Sequence, residues 1–237
     1  MLKGEGLTMN FGGLLAVANA NFHVDQGEVV GLIGPNGAGK TTLFNLISGA
    51  IAPKSGVIKF KDETITGLKP HQICKKGVAR TFQSTKLFAG LTVFENVELA
   101  AMFGTPQAIS EAEAEQEVLD LLDFVELSTV RATLAKNLPI ASQRRLEVAR
   151  ALATKPELLL LDEVMAGLNA TEVAEAMALI TKIQAKGITI FMIEHVMKAI
   201  MNVCDRIIVF HNGREIAEGT PDQVTTNPTV IEIYLGE

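Results

Sequence analysis

The 237-residue chain contains no tryptophan, one tyrosine and two cysteines, and it has no apolar run near the roughly eighteen residues that would span a bilayer. Cys74 and Cys204 stand far apart, without the paired spacing of a metal or redox motif, so they read as ordinary structural thiols in a reducing compartment. The amino terminus has no basic segment followed by an apolar stretch. Neither a signal peptide nor a membrane span is expected, and the chain reads as soluble and cytoplasmic. Nor is there a basic stripe. The net charge is −6 with Lys and Arg scattered, which argues against nucleic acid as a direct partner. With 48% hydrophobic residues the chain can fill a large core, so one domain with subdomains is expected.

Glycine is plentiful where it matters. Gly34-Pro35-Asn36-Gly37-Ala38-Gly39-Lys40-Thr41 follows the apolar run Val29 to Ile33 and precedes Leu43, Leu46 and Ile47 at helical spacing. A glycine-rich turn between a buried strand and a helix lets successive backbone N–H groups, here from Asn36 through Thr42, point at phosphate oxygens. Lys40 adds a cation, and the Thr41 hydroxyl can ligate Mg²⁺. The expected ligand is a nucleoside triphosphate. Further on, Leu158 to Leu161 form a second buried-looking strand that ends in Asp162-Glu163. A strand ending at the phosphates can present a Mg²⁺-directing carboxylate, Asp162, and Glu163 beside it can polarise the attacking water. His195 follows a third apolar strand, ending at Ile193, and should reach the same carboxyl end of the sheet, within range of a γ-phosphate. His23, His71 and His211 lack such placement.

Periodicity divides the chain. Strand patterns dominate the first sixty residues and suggest an antiparallel sheet beside the nucleotide core, with Gly56 to Phe60 and Thr64 to Thr66 in it. From about residue 84 to 155 the pattern is helical. Ser110 and Glu113 fit a capping box, and Val118, Leu121, Leu122 and Val125 share a face. After Pro156, strand and helix alternate, which implies a mostly parallel sheet. Ile207 to Phe210, Asn212-Gly213 and Glu215 to Ala217 predict a hairpin, Thr220 with Gln223 caps a short helix, and Asn227-Pro228 starts the last one.

The order of these motifs resembles that of the nucleotide-binding subunits of ATP-binding cassette (ABC) transporters, over nearly the whole chain. The resemblance implies an α/β fold: a RecA-like P-loop NTPase core with a mostly parallel sheet, an antiparallel β subdomain and an all-helical subdomain. Residues 1–83 and 156–237 would form the core with its β subdomain, and residues 84–155 the helical part. By the same resemblance Phe11 stacks on adenine, although a lone aromatic near a strand is also commonly core. Gln83 in Arg80-Thr81-Phe82-Gln83 is the Q-loop glutamine that senses γ-phosphate and contacts Mg²⁺, and His195 after Glu194 is the switch histidine. Glu163, His195 and Gln83 are thus the expected catalytic group. Thr41, Gln83 and Asp162 are the expected metal group, with ATP and Mg²⁺ as cofactors.

The signature stretch departs from the family. Where most members read Leu-Ser-Gly-Gly-Gln, this chain has Leu138-Pro139-Ile140-Ala141-Ser142 before Gln143. In the family this segment approaches the γ-phosphate bound on a second subunit; Pro139 supplies neither hydroxyl nor N–H, while Ser142 is a candidate cap for the helix bearing Leu146, Ala149 and Leu152. Asn169 replaces a common aspartate. The motifs around Phe11, Gln83 and Ala166-Gly167-Leu168-Asn169, and the terminal Ile231 to Gly236, resemble the ATPases of branched-chain amino acid importers. Expected partners are integral membrane permease subunits, a second ATPase subunit in a homo- or heterodimer, and indirectly a solute-binding protein, with the chain peripheral on the inner face of the membrane. Lys86 to Gly90 and Phe94 either line the permease groove or pack in the core. The alternatives are a soluble or regulatory ATPase uncoupled from transport, and an importer ATPase for another small solute such as an amide or urea.

Overall fold

The computed structural model describes residues 1–104 and 111–235. Two long strands open the chain, β1 (Leu2–Phe11) and β2 (Leu14–Val24). β3 (Val29–Ile33) leads through the glycine-rich loop into α1 (Lys40–Ile47), followed by β4 (Ser55–Phe60), β5 (Glu63–Thr64), α2 (Pro70–Lys75) and β6 (Val78–Arg80). Helices then take over: α3 (Val93–Gly104), α4 (Glu111–Phe124) and α5 (Ile140–Ala153). Alternation resumes with β7 (Leu158–Asp162), α6 (Ala170–Ala185), β8 (Thr189–Ile193), α7 (Met197–Val203), β9 (Arg206–His211) and β10 (Arg214–Gly219), and α8 (Pro221–Thr225) and α9 (Pro228–Leu235) end it.

The six-stranded sheet runs β10-β9-β3-β8-β7-β6 and the four-stranded sheet β2-β1-β4-β5. In the first, β3, β6, β7, β8 and β9 are parallel to their neighbours and only β10 is antiparallel, paired to β9 in a hairpin. The second is antiparallel throughout. Both match the sequence expectation of a mostly parallel sheet beside an antiparallel one.

β3, β7 and β8 are buried along their full lengths, because both faces of the sheet are covered. Successive side chains point to opposite faces, and this splits the core in two. Val29, Ile33, Leu159, Leu161, Ile190 and Met192 join the helices of residues 93–183. Val30, Leu32, Leu158, Leu160, Phe191 and Ile193 face α1 and the antiparallel sheet. Parallel strands held between two apolar layers bring their carboxyl ends to one edge, where Ile33, Asp162 and Ile193 terminate.

Several local expectations are met. Asn212 and Gly213 both take positive φ in the β9–β10 turn, Thr220 accepts from Gln223 N, and Asn227 Oδ1 accepts from Thr229 N. Two are corrected. Ser142 does not cap a helix: α5 begins at Ile140 with Pro139 as its N-cap, so Ser142 lies within the first turn. A proline with its fixed φ readily starts a helix one turn earlier than a serine cap would. The short elements α2 and β6 also emerge where no strand or helix was read. Ser110 and Gly236 lie outside the described residues. Cys74 and Cys204 are free thiols, and burial pushes Cys204 up to about 12, an inert core sulfur.

Candidate active site

The loop after β3 is shaped by close backbone approach. At Gly34 (φ 154°) a Cβ would fall 2.1 Å from the Phe210 carbonyl oxygen, and at Gly39 (φ 102°) one would fall 2.3 Å from the Ala16 carbonyl oxygen. Neither position can hold another residue without moving the main chain. The loop is braced from outside: Gly213 N donates to Ala38 O at 2.9 Å, and Ala18 N donates to Gly213 O at 2.8 Å. Asn36 and Gly37 form an exposed crest while Ala38 is buried. Lys40 is only 6% exposed, its Nζ donating to Gly34 O at 2.6 Å and Pro35 O at 3.0 Å. Burial lowers its pKa, opposed by Glu163 and Asp162. Thr41 and Thr42 are half-buried in the first turn of α1.

Across the sheet edge, Asp162 ends β7 fully buried. Its Oδ2 accepts from Arg80 Nη2 at 2.7 Å, whereas its buried Oδ1 has no partner. Burial pushes this carboxyl up, and the Arg80 bond opposes the shift. Glu163 sits at φ 52°, a left-handed conformation that costs a non-glycine residue about 1–2 kcal/mol. That turn is pinned by Glu163 N donating to Ile193 O at 2.9 Å. The side chain is consequently aimed between two partners: Glu163 Oε1 lies 2.9 Å from His195 Nε2, and Oε2 accepts from Gln83 Nε2 at 2.9 Å. Strain of this kind gathers at functional sites.

The sequence-expected residues therefore separate into groups. Gln83, Glu163 and His195 meet directly, and Lys40 feels Asp162 and Glu163 electrostatically. Phe11 lies at the tip of the β1–β2 hairpin, 50% exposed and outside the core. In the signature stretch Leu138 is buried, Pro139 and Ile140 are exposed, and Ala141 and Ser142 are half-buried. Gln143 Nε2 donates to Leu138 O at 2.9 Å, within its own segment. Among the described residues no hydrogen bond or ion pair joins 138–143 to the glycine-rich loop.

Residues 17–166 match the family described as ABC transporter, and residues 214–237 match the Branched-chain amino acid ATP-binding cassette transporter family. The chain belongs to the ABC transporter family. A high-affinity branched-chain amino acid transport ATP-binding protein, BraF of Pseudomonas aeruginosa, is 44% identical over 250 residues, covering 100% of this chain and 98% of the relative. The ADP conformation of an ATP-binding cassette from an ABC transporter superposes with a TM-score of 0.91 at 31% identity, over 100% of this chain and 99% of that one. A dimeric cassette in a post-hydrolysis state, bound to ADP and Pi, matches at 0.84 and 27% identity, over 93% and 99%.

Within this cassette, several residues near the site escaped sequence reasoning. Glu194 is 2% exposed and accepts from Met165 N at 2.8 Å and His195 N at 3.3 Å, tying the turn after Glu163 to the base of the histidine. Burial raises its pKa to about 7. Arg144 Nη1 donates to Gln83 O at 3.0 Å, so the helix after the signature holds the glutamine loop. Asn169 caps α6, its Oδ1 accepting from Thr171 N and Glu172 N, and Glu172 Oε2 accepts in turn from Asn169 N. That Asn-x-x-Glu box was the legible signal. Between α2, α3, α5 and β6 lies a cavity of about 270 Å³ lined in part by Arg80, Phe82, Lys86, Glu147, Arg150 and Thr154. Phe88 stands 49% exposed with the Arg150 guanidinium 4.8 Å over its ring, while Leu87 and Phe94 pack against the core.

Proposed function

We propose that this cassette hydrolyses ATP to power the import of branched-chain amino acids, acting as one of two ATPase subunits beneath integral membrane permease subunits. The observation that carries the chemistry is Glu163, held between Gln83 and His195 at the end of β7, beside the loop that cradles Lys40. The relatives' printed functions and the match at residues 214–237 support the cargo.

The backbone amides from Asn36 to Thr42 and the Lys40 ammonium offset phosphate charge. Lys40 leaves its two loop carbonyls to meet the phosphates, and its depressed pKa is restored by the anion. The donor set fits a magnesium ion: the Thr41 hydroxyl and the orphaned Oδ1 of Asp162 are hard oxygen ligands, directly or through water, with Gln83 at the margin. Magnesium, when bound, neutralises charge on the β- and γ-phosphates. Glu163 accepts a proton from, or orients, the attacking water. His195 and Gln83 hold the carboxylate's two oxygens and are the groups that sense the γ-phosphate. Phe11, exposed on its hairpin, is placed to stack on the base. Leu138 to Gln143 serve the nucleotide of a second subunit, and the cavity beside Phe88 receives cytoplasmic helices of the permease on the inner face of the membrane.

Substituting Glu163→Gln tests the assignment. General-base loss lowers turnover by about 10²- to 10⁴-fold, while nucleotide affinity should stay within about twofold. Light scattering should detect an ATP-held dimer of the variant. Unchanged turnover would sink the role given to Glu163, and in vesicles carrying the permease, leucine uptake indifferent to the variant would sink the transport reading.

A further inference from the structure

We propose that Arg80 is a positioning residue for the cation-binding half of the nucleotide site, locking Asp162 and the Thr41 face of α1 into one rigid unit. The inference rests on the reading that Asp162 and Thr41 serve the metal.

Arg80 ends β6 and pairs in register with Leu160 of β7, two residues short of Asp162. Its side chain is 6% exposed, and the guanidinium links β6 to β7 and α1. Nη2 donates to Asp162 Oδ2 at 2.7 Å, and Nη1 donates to Asn45 Oδ1 at 2.8 Å and to Ser48 Oγ at 2.9 Å. Thr41, Asn45 and Ser48 lie at i, i+4 and i+7, one stripe along α1 and its carboxyl cap. Arg80 thus grips the second and third residues of the stripe whose first residue carries the metal-facing hydroxyl.

The pairing pattern argues against a purely structural salt bridge. An arginine paired to a carboxylate for its own sake tends to form two parallel bonds, fork to fork. Here only Nη2 reaches Asp162, Nη1 is spent on α1, and both Arg80 Nε and Asp162 Oδ1 are left without a partner. A buried ion pair is also poor value for stability, since apolar replacements of the same volume are commonly neutral or better. The single bond does achieve one thing: it fixes which carboxylate oxygen is free and where it points. Thr81 adds to this by accepting from Asp162 N at 3.1 Å through Oγ1. The guanidinium also lies 5.7 Å from the Phe44 ring and 5.2 Å from the Phe82 ring, which hold its plane.

The test uses the full chain and a fluorescent ATP analogue. Its dissociation constant is measured in EDTA and in saturating Mg²⁺, and the ratio of the two reports coupling between cation and nucleotide without any turnover. Arg80→Met should cut that ratio by about 10- to 100-fold, as for other outer-shell supports of metal ligands, with affinity in EDTA changed by less than about twofold. Asn45→Ala keeps every charge and removes one anchor on α1; it should cut the ratio by about threefold, and it decides the matter if Arg80→Met does not fold. A ratio that is unchanged or larger in both variants overturns the proposal, as does an equal loss of affinity in EDTA and Mg²⁺. Asp162→Asn is the control. If it leaves the ratio intact, the metal reading itself has failed; if it lowers the ratio while the Arg80 and Asn45 variants do not, only the role of Arg80 has.

Discussion

Glu194 offers a test in which the sign and size both come from the structure. Its carboxylate is buried at the end of β8, and desolvation raises its pKa from 4.5 to about 7. Two backbone N–H donors, from Met165 and His195, and the Arg144 charge oppose the rise without cancelling it, and Glu163 adds to it. Between pH 4.5 and about 7 the folded chain retains a proton that the unfolded chain has released. The folded state therefore binds more protons, so this group's contribution to stability falls as pH rises through that window and is level above it. At about 1.36 kcal/mol per pH unit the loss is about 3 kcal/mol, an upper figure that local relaxation reduces. Glu194→Gln places a permanently neutral group there. Urea denaturation of the nucleotide-free chain at pH 5, 6, 7 and 8 should show the variant gaining on the parent by about 2–3 kcal/mol between pH 5 and pH 8. Other shifted carboxylates, Glu147 and Glu215 among them, cancel in the comparison because both proteins carry them. Parallel stability curves would refute the argument, since they would mean that the Met165 and His195 donors already compensate the buried charge in full.

Two further substitutions separate roles that share a neighbourhood. Asn169→Ala removes both capping bonds of α6 and should cost about 1 kcal/mol, a fall in Tm of about 2–4 °C; Asn169→Asp, which keeps the acceptor, should restore it, and equal melting of all three proteins would show the cap to be idle. Phe11→Ala should leave Tm unchanged, because the ring is half exposed, while weakening nucleotide binding by about 1–3 kcal/mol if it stacks on the base. A variant that melts earlier and binds normally would return Phe11 to the role of a packing residue.

What could be read in the sequence was whatever a single stretch of chain encodes. β3, β7 and β8 are covered on both faces and so appear as unbroken apolar runs. The loop at Gly34 to Thr41 is fixed by its own glycines, and Asp162-Glu163 follow directly from the strand they end. The hairpin at Asn212-Gly213 and the caps at Thr220 and Asn227 are likewise local. The three residues of β6 and the six of α2 are too short for any period to register. The network around the site was invisible for a different reason. Arg80 was noticed only as part of a motif, because Asn45, Ser48 and Asp162 lie 35, 32 and 82 residues away in the chain. Glu194 was noticed only as the neighbour of His195, since its desolvation depends on β7, β8 and the turn at Met165 closing around it. Two local cap signals differ from the sequence reading: Ser142 lies inside α5 and does not cap it, and Asn169, which stands where the family commonly has aspartate, also caps α6.

The altered signature illustrates why a changed motif need not mean a lost capability. Helix α5 is 14 residues long and starts immediately after Pro139. Neither a side-chain cap nor an acidic first turn occupies its amino end, and Ile140 is 58% exposed. The first N–H groups of a helix have no partners inside it, and its aligned peptide dipoles leave about half a positive charge there. Serine and glycines would add a hydroxyl and closer backbone approach, yet the uncapped helix end itself already attracts an anion presented from outside. Replacing them with Pro139, Ile140 and Ala141 trades directional donors for a bulkier, less directional positive end. Under the proposed function, the γ-phosphate of a second subunit would still meet a favourable field, with its geometry held less tightly and more of its orientation left to Lys40, Gln83 and His195. If the proposed two-subunit sandwich holds, the Glu163→Gln variant should form an ATP-held homodimer by itself, and failure to dimerise while still binding ATP would point to a different cassette as partner.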